Sequence, residues 1–274
     1  HHKLESGTKY ILRYNNSTSL MDYQGTTPDM ESKFKHNAQV AAAYLSYIFT
    51  AGKWAARAGL RYEFTRMKAS YPDGSNADYH ANLNDWVPSA SLQYKISDSQ
   101  TLKFSYNTSI NRPGIGYLNP AIISTPTAVS FGNANLGSSR NQKLQLVYML
   151  VTSKFTLQLS PYYSFTNNGI GRILYEQNRK DVSTYQNVLK SKDFGISSYT
   201  EWTPFTGTSF TLNASMRYAR ITLPTPSTKN SGCGGGIYFN WEQKIPWELT
   251  LTTSIEGEYG NRIYDPYAIE GHWF

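Results

Sequence analysis

Residues Lys53 to Thr65 read KWAARAGLRYEFT, and apolar and polar side chains alternate along this stretch. One set of alternate positions holds Trp54, Ala56, Ala58, Leu60, Tyr62 and Phe64, and the other holds Ala55, Arg57, Gly59, Arg61, Glu63 and Thr65. Successive side chains of a β-strand point to opposite faces of the sheet. The pattern therefore predicts one long strand with an apolar face and a polar face.

The same alternation recurs along the chain and predicts about eleven strands. Their predicted spans are 7–15, 36–49, 54–69, 85–96, 101–110, 141–150, 154–176, 183–203, 208–222, 232–242 and 247–260. Most of these spans exceed the roughly 5–6 residues usual in globular sheets. They match the roughly 9–11 residues that a tilted strand needs to cross a bilayer.

Composition separates two classes of membrane protein. The mean hydropathy is −0.50, and no stretch approaches the roughly 18 apolar residues of a membrane helix, so a helical membrane protein is excluded. A polar average fits a barrel, because alternate residues face a wet interior. Aromatic residues make up 15% of the chain, and several lie at strand ends, where a bilayer interface selects them. A tyrosine-rich β-sandwich remains the alternative on composition alone.

The connections between predicted strands alternate in length. The short links are Thr50–Lys53, Ser97–Gln100, Val151–Lys154, Pro204–Thr208 and Glu242–Pro246, and the long links are Asn16–Lys35, Tyr71–Asp85, Asn111–Asn141, Gln177–Ser183 and Leu223–Ser231. Outer-membrane barrels have short periplasmic turns and longer extracellular loops. The asymmetry favours an all-β fold, the wall of an antiparallel transmembrane β-barrel in a bacterial outer membrane, over a sandwich.

The predicted strand number points to part of a larger barrel. Bacterial single-chain barrels have even strand counts, whereas eleven is odd. An open sheet edge in lipid would leave unpaired backbone groups. We therefore expect residues 1–274 to be a single partial barrel domain, with Gly271–Phe274 as the start of a further strand.

Four segments carry a family resemblance. They are SYNTSINRPGIGYLNP (Ser105–Pro120), SFGNANLGSSRNQKLQLVY (Ser130–Tyr148), SFTNNGIGRILYE (Ser164–Glu176) and TYQNVLKSKDFGIS (Thr184–Ser197). In this order they resemble the outer-membrane β-barrel of Bacteroidetes-type TonB-dependent receptors, over roughly residues 3–260. The second segment departs from the family pattern, with Ala134 in place of Pro and Gly137–Ser138 in place of Lys–Pro.

The resemblance implies energised import of a large or scarce solute, such as a siderophore, glycan or peptide. It implies a barrel of about 22 strands, filled by the protein's own plug domain and served by a TonB-type energy-coupling complex. This chain would supply wall and outer loops, without the plug domain or the remaining strands. A structural or interaction barrel, acting as adhesin, scaffold or passive pore with a surface lipoprotein partner, is the alternative.

The segment NRPGIGYLNP has two interpretations. Pro113 lacks a donor and ends ladder pairing, and glycines permit tight turns, so the segment forms a shaped rim loop. The other interpretation is direct ligand contact by Arg112, Tyr117 and Asn119. The step Asn167–Gly169 predicts a bulge or bend near the outer rim.

The basic balance, +7 at neutral pH, comes without a recognisable nucleic-acid-binding element, so no nucleic-acid partner is expected. The charges predicted to face the lumen are Arg57, Arg61, Glu63, Lys103 and Arg217, together with Lys95, Glu256 and Glu258. They would form ion pairs between wall and plug, or guide an anionic solute. Cations in the loops would contact lipopolysaccharide, beside the lipid bilayer itself.

No enzyme is expected. The single cysteine, Cys233, cannot form an intrachain disulfide, and His36, His80 and His272 are scattered. No HExxH, paired cysteines or GxSxG elbow occurs. The sequence predicts neither a metal nor a cofactor.

Overall fold

The computed structural model describes residues 1–21, 30–72, 74, 78–119, 123–124, 127–224 and 227–260. The elements within these ranges are β1 (His2–Met21), β2 (Met30–Ala51), β3 (Trp54–Ser70), β4 (Tyr79–Lys95), β5 (Gln100–Asn111), α1 (Ile115–Leu118), β6 (Ile123–Ser124), β7 (Ala128–Ser130), β8 (Ser139–Val151), β9 (Phe155–Gln177), β10 (Lys180–Trp202), β11 (Thr208–Pro224), β12 (Ser227–Ile245) and β13 (Leu249–Gly260). None of the helical structure in these ranges is long and apolar enough to cross a membrane. The predicted further strand at Gly271–Phe274 lies outside the described residues.

Eleven long strands form one antiparallel meander. Neighbours along the chain pair in the order β1-β2-β3-β4-β5-β8-β9-β10-β11-β12-β13, which confirms the predicted all-β antiparallel sheet. Two short strands were not predicted: β6 pairs with β7, and β7 runs parallel to β10. Both lie in the segment between β5 and β8, which the sequence presents as a single long loop.

Several strands are longer than predicted, mainly at the ends away from the short turns, although β1 also begins five residues earlier at the short-turn end. The first runs over His2–Met21 instead of 7–15, and the second over Met30–Ala51 instead of 36–49. The apolar alternation marks only the part of a strand that meets lipid. Backbone hydrogen bonding needs no apolar side chain, so the ladder continues into polar sequence.

Two predicted boundaries are wrong for a local reason. The long loop expected at Gln177–Ser183 is a two-residue turn, because Gln177 pairs with Lys180. Asn178 and Arg179 adopt φ values of 52° and 61°, as the tight turns of β-hairpins require. Trp247 lies in the turn before β13, with φ of 70°, so the last strand begins at Leu249 and not at 247.

The pairing register divides the sheet into two faces. On the apolar face Trp54 packs against Tyr94 with ring centroids 4.4 Å apart, and Tyr62 packs against Trp86 at 4.7 Å. Eight residues of β3 separate the two aromatic pairs, which is about 26 Å of strand. At the roughly 35–45° tilt of barrel strands this is about 20 Å along the membrane normal, close to the roughly 25 Å apolar band of outer-membrane barrels, which is flanked by aromatic girdles.

The polar face carries the buried part of the molecule. The segment between β5 and β8 folds onto this face, where Leu118 is 0% and Leu136 is 2% exposed. Both pack in one cluster with Met67 of β3. The core therefore lies between a loop and the sheet, at the end of the barrel opposite the short turns.

Candidate functional site: a loop docked on the polar face

Residues 112–138, here called the docking loop, connect β5 to β8. Leu118 and Leu136 from the loop pack with Met67, and Ile170 and Tyr185 pack against the same cluster. Burying one leucine side chain stabilises by about 1.5–3 kcal/mol. Apolar burial therefore helps to hold the middle of the loop on the sheet.

Arg112 fixes the beginning of the docking loop. Its guanidinium forms an ion pair with Glu63 on β3, and its Nε donates to Thr65 Oγ1 at 2.8 Å. The Glu63 carboxylate also forms an ion pair with Arg61, whose Nε lies 2.6 Å from Oε1. Arg112 lies beyond the aromatic pair at the loop end, where burial and the charges of Arg61 and Arg13 lower its pKa. An arginine pKa starts far above neutrality, so the guanidinium stays charged.

Asp85 fixes the end of the docking loop. It is 3% exposed, and its carboxylate accepts a hydrogen bond from the Ser138 hydroxyl at 2.6 Å. Arg140 lies 3.5 Å from the same carboxylate. Asp85 is the direct cross-strand partner of Glu63, an arrangement that is destabilising for like charges. The donors at the two ends of the loop offset this repulsion, so the acidic pair holds both ends.

Two asparagine side chains clamp the backbone where the loop enters β8. Asn187 accepts from the Gly137 amide at 2.8 Å and donates to its carbonyl at 3.0 Å. Asn168 accepts from the Arg140 amide at 3.0 Å and donates to the Ser138 carbonyl at 2.9 Å. Register shifts between β9 and β10 lie beside both asparagines. They confirm the irregularity predicted at Asn167–Gly169.

The middle of the loop is bonded to itself and to the sheet. The Gly132 amide donates to the Asn119 carbonyl at 2.8 Å, and a Cβ at position 132 would lie 2.4 Å from that oxygen. Only glycine fits so close an approach. Asn133 donates through its side chain to the Tyr185 carbonyl at 2.8 Å. The Tyr71 hydroxyl donates to the side chain of Asn119.

All four segments that carry the family resemblance meet at this site. The contributing residues are Arg112, Leu118 and Asn119 from the first, Gly132, Asn133, Leu136 and Ser138 from the second, Asn168 from the third, and Tyr185 and Asn187 from the fourth. The family departure at Gly137–Ser138 is part of the anchor. The Ser138 hydroxyl donates to Asp85, and a proline at that position has no donor.

The sequence matches the model of the outer membrane protein beta-barrel family over residues 1–271. The chain belongs to this family. It is therefore an outer-membrane protein, in agreement with the predicted location and with the apolar band between the aromatic pairs. No curated protein sequence matches the chain.

Solved receptors share the fold of this outer-membrane barrel protein. The siderophore receptor PiuA from Acinetobacter baumannii aligns with a TM-score of 0.57 at 12% identity, over 96% of this chain and 47% of its own. The ferric yersiniabactin uptake receptor FyuA from Yersinia pestis aligns with a TM-score of 0.59 at 13% identity, over 94% of this chain and 43% of the receptor. The copper transporter OprC aligns with a TM-score of 0.62 at 13% identity, over 94% of this chain and 45% of the transporter. The chain thus spans about half the length of these receptors.

The three predicted ligand residues divide into two groups in the barrel protein. Arg112 and Asn119 are engaged in holding the docking loop. Tyr117 is 42% exposed and packs edge-on against Tyr185 with ring centroids 4.7 Å apart. Ligand contact by these residues stays a prediction, and Tyr117 is the most exposed of the three.

The register places all the predicted lumen charges on the polar face: Arg57, Arg61, Glu63, Lys95, Lys103, Arg217, Glu256 and Glu258. Arg57 pairs with Glu5 at 3.0 Å, and Arg217 pairs with Asp193 at 3.3 Å. Lys103 borders an open groove with Arg57, Ser105 and Gln145. Glu5 and Asp193 were not among the acids expected to pair with these cations.

Sequence reasoning missed Asp85, Ser138 and Asn187 as anchors. Asp85 is the one acidic residue in the polar-face row of β4, which is a detectable signal once its opposition to Glu63 is known. Ser138 and Asn187 carry no comparable signal. In the ranges that the structure describes, no three His, Cys, Asp or Glu side chains are grouped to hold a metal ion.

Proposed function

We propose that this protein forms part of the barrel wall and the outer loops of a TonB-dependent transporter. The transporter would import a large or scarce solute, such as a siderophore, glycan or peptide. The observation that carries the proposal is the docking loop, which folds onto the polar face and is held there by buried groups. A loop fixed in this way narrows the outer mouth and presents a defined surface. The fold shared with PiuA and FyuA supports the proposal, as does the ordered set of four segments typical of Bacteroidetes-type receptors.

The polar face lines the lumen in this proposal. Ion pairs such as Arg57 with Glu5 and Arg217 with Asp193 already neutralise part of its charge within the wall. Lys103 has no ion pair with a described carboxylate. It therefore remains able to contact an acidic group of a plug domain, or an anionic solute. The plug and the energy-coupling complex are the partners that complete the transporter.

Tyr117 is the residue proposed to contact the solute. An exposed tyrosine offers a flat apolar ring and a hydroxyl, which suits both sugars and aromatic chelators. Arg112 and Asn119 position it by fixing the two sides of helix α1. A solute reaching the outer mouth would meet this ring before it met the wall.

Uptake in cells tests the proposal. The full-length gene is deleted, and uptake of radiolabelled iron siderophores, oligosaccharides and short peptides is compared with and without a protonophore. We expect one class of solute to lose uptake, and the same uptake to stop when the proton gradient collapses. Uptake that survives the protonophore, or a steady open conductance of the full-length protein in planar bilayers, would identify a passive pore instead.

A pair of tyrosine variants tests the contact. Tyr117→Ala should weaken uptake of that solute at low concentration by about tenfold, a loss of about 1.4 kcal/mol, and leave outer-membrane abundance unchanged. Tyr175→Ala is the matched control, because Tyr175 is 44% exposed and lies on the β9–β10 hairpin, outside the docking loop. Equal effects of the two variants would contradict a specific role for Tyr117.

A further inference from the structure

The apolar face changes character beyond the aromatic residues at the loop end. The exposed cations that lie on it there include Lys35, Arg66, Lys68, Lys190, Lys192, Arg220 and Lys229. None forms an ion pair with a described carboxylate. Along the described strands, the same face carries no Lys, Arg, Asp or Glu from the aromatic pairs down to the short turns. The described charges of this face therefore lie at the loop end and are mostly positive. Asp78 is a carboxylate that lines the same groove as Lys35, Arg66 and Lys68.

The first group consists of Lys35, Arg66 and Lys68 and is here called the β3 basic patch. It lies above the pair Tyr62–Trp86. Arg66 and Lys68 follow Tyr62 by four and six residues and share its face. Consecutive residues on one face are about 7 Å apart, so the two cations lie close together. Asn37 and His80 flank Lys68 as its cross-strand partners and add hydrogen-bonding groups.

The second group, here called the β10–β11 basic patch, lies above Phe194 and Tyr218, which are cross-strand partners. Lys192 and Arg220 are directly opposite one another in the next pair on the same face. Lys229 and Lys190 flank Thr222 one pair further on. Like charges directly opposite destabilise a sheet. Such an arrangement gains stability when an external anion lies between the cations.

We propose that the two basic patches bind the phosphate groups of lipopolysaccharide, with the acyl chains lying on the apolar band below. The loop end of an outer-membrane barrel faces the outside, so both patches sit at the level of the outer leaflet's headgroups. Lysine and arginine form charge-assisted hydrogen bonds with phosphate. A lipid with phosphate above and acyl chains below matches the order of cations, aromatic rings and apolar side chains. This inference does not depend on the proposed transport.

Lipid binding by the purified full-length protein tests the proposal. Phosphorylated lipid A is titrated into the protein in neutral detergent, and the same lipid treated with phosphatase is titrated in parallel. We expect binding to weaken at least tenfold on dephosphorylation, and at least fivefold in Arg66→Gln/Lys68→Gln and in Lys192→Gln/Arg220→Gln. Added salt should weaken the wild-type interaction more than that of either variant.

A control variant separates position from net charge. Lys9→Gln/Lys244→Gln removes two exposed cations from the polar face and should bind lipid A as the wild type does. Lys192→Gln/Arg220→Gln should match or exceed wild-type thermal stability in lipid-free detergent, because a repulsive pair is removed. Unchanged binding after dephosphorylation, equal weakening by the control, or equally tight binding of phosphatidylglycerol vesicles would each overturn the proposal.

Discussion

Glu63 and Asp85 are direct cross-strand partners on the polar face, with exposures of 7% and 3%. Two buried carboxylates facing each other would separate if nothing compensated them. The docking loop supplies the compensation, through Arg112 at one end and Ser138 at the other. Loop docking and the stability of this part of the sheet are therefore coupled.

Glu63→Gln tests this coupling. The substitution leaves the partly buried Arg112 without its anion, and breaking a buried ion pair costs about 3–5 kcal/mol. We expect the docking loop to be released, with proteolysis between residues 112 and 138 rising at least a hundredfold. The strands should stay intact in detergent.

An exposed ion pair provides the control. Glu5→Gln removes a carboxylate that pairs with Lys3 at 2.7 Å and with Arg57 at 3.0 Å, and its side chain is 30% exposed. Ion pairs so accessible to solvent contribute little to stability, so loop proteolysis should not change. A loop that resists protease equally in Glu63→Gln and Glu5→Gln would show that Arg112 does not hold it.

Buried His36 leads us to predict that the stability of the protein depends on pH. It lies level with Ala69, seven residues beyond Tyr62, and is 5% exposed with no hydrogen-bond partner for either ring nitrogen in the part of the chain described. Burial lowers the pKa of His36 below its usual value. The unfolded chain therefore binds the proton more tightly, so stability is complete above the unfolded pKa of about 6.5 and falls as pH drops through the folded pKa.

The melting temperature of the protein in detergent, measured between about pH 7.5 and pH 5, checks this sign. The wild type should lose stability on acidification, and His36→Phe should lose less of it, because phenylalanine packs with Phe34 and Tyr71 without titrating. His80→Phe, at an exposed position, should keep the wild-type pH dependence. Identical curves for wild type and His36→Phe would contradict the prediction.

At the scale of elements, the sequence predicted the faces of the strands better than their ends. The period of two predicted both faces of β3, because each face meets a different solvent. Strand ends were missed where the ladder runs on through polar residues, as in Met30–Ala51, and where a turn has no glycine, as at Asn178–Arg179. The docking loop was not predictable in detail. Its anchors join residues about fifty positions apart, and no local pattern records such pairs.

Neighbouring residues of β4 test the assignment of faces. Ala90 lies on the apolar face midway between Trp86 and Tyr94, whereas Ser89 lies on the polar face. Arginine at the centre of a lipid-facing band costs about 2–4 kcal/mol. Ala90→Arg should therefore destabilise folding into phospholipid vesicles by that amount, measured by urea titration. Ser89→Arg should cost less than about 1 kcal/mol, and the reverse order would mean that the faces are exchanged.

At the scale of the whole molecule, one sheet presents three surfaces. The apolar band meets lipid, the basic patches lie at its outer margin, and the polar face carries a fixed loop near the outer mouth. The family resemblance identified the segments that build this loop before their contacts were known. In the structure the four segments are neighbours in space, and their contacts hold Leu118 and Leu136 against Met67.

Disulfide trapping in intact cells tests the docked loop most directly. Asp85→Cys/Ser138→Cys in a Cys233→Ser background replaces two groups that are 2.6 Å apart, and we predict a cross-link under mild oxidation. Ala90→Cys/Ser138→Cys is the control, because Ala90 lies on the other face, and it should not cross-link. A Ser138→Cys thiol that never pairs with Asp85→Cys, and that reacts with an impermeant maleimide as quickly as an exposed loop cysteine, would contradict a loop docked on the polar face.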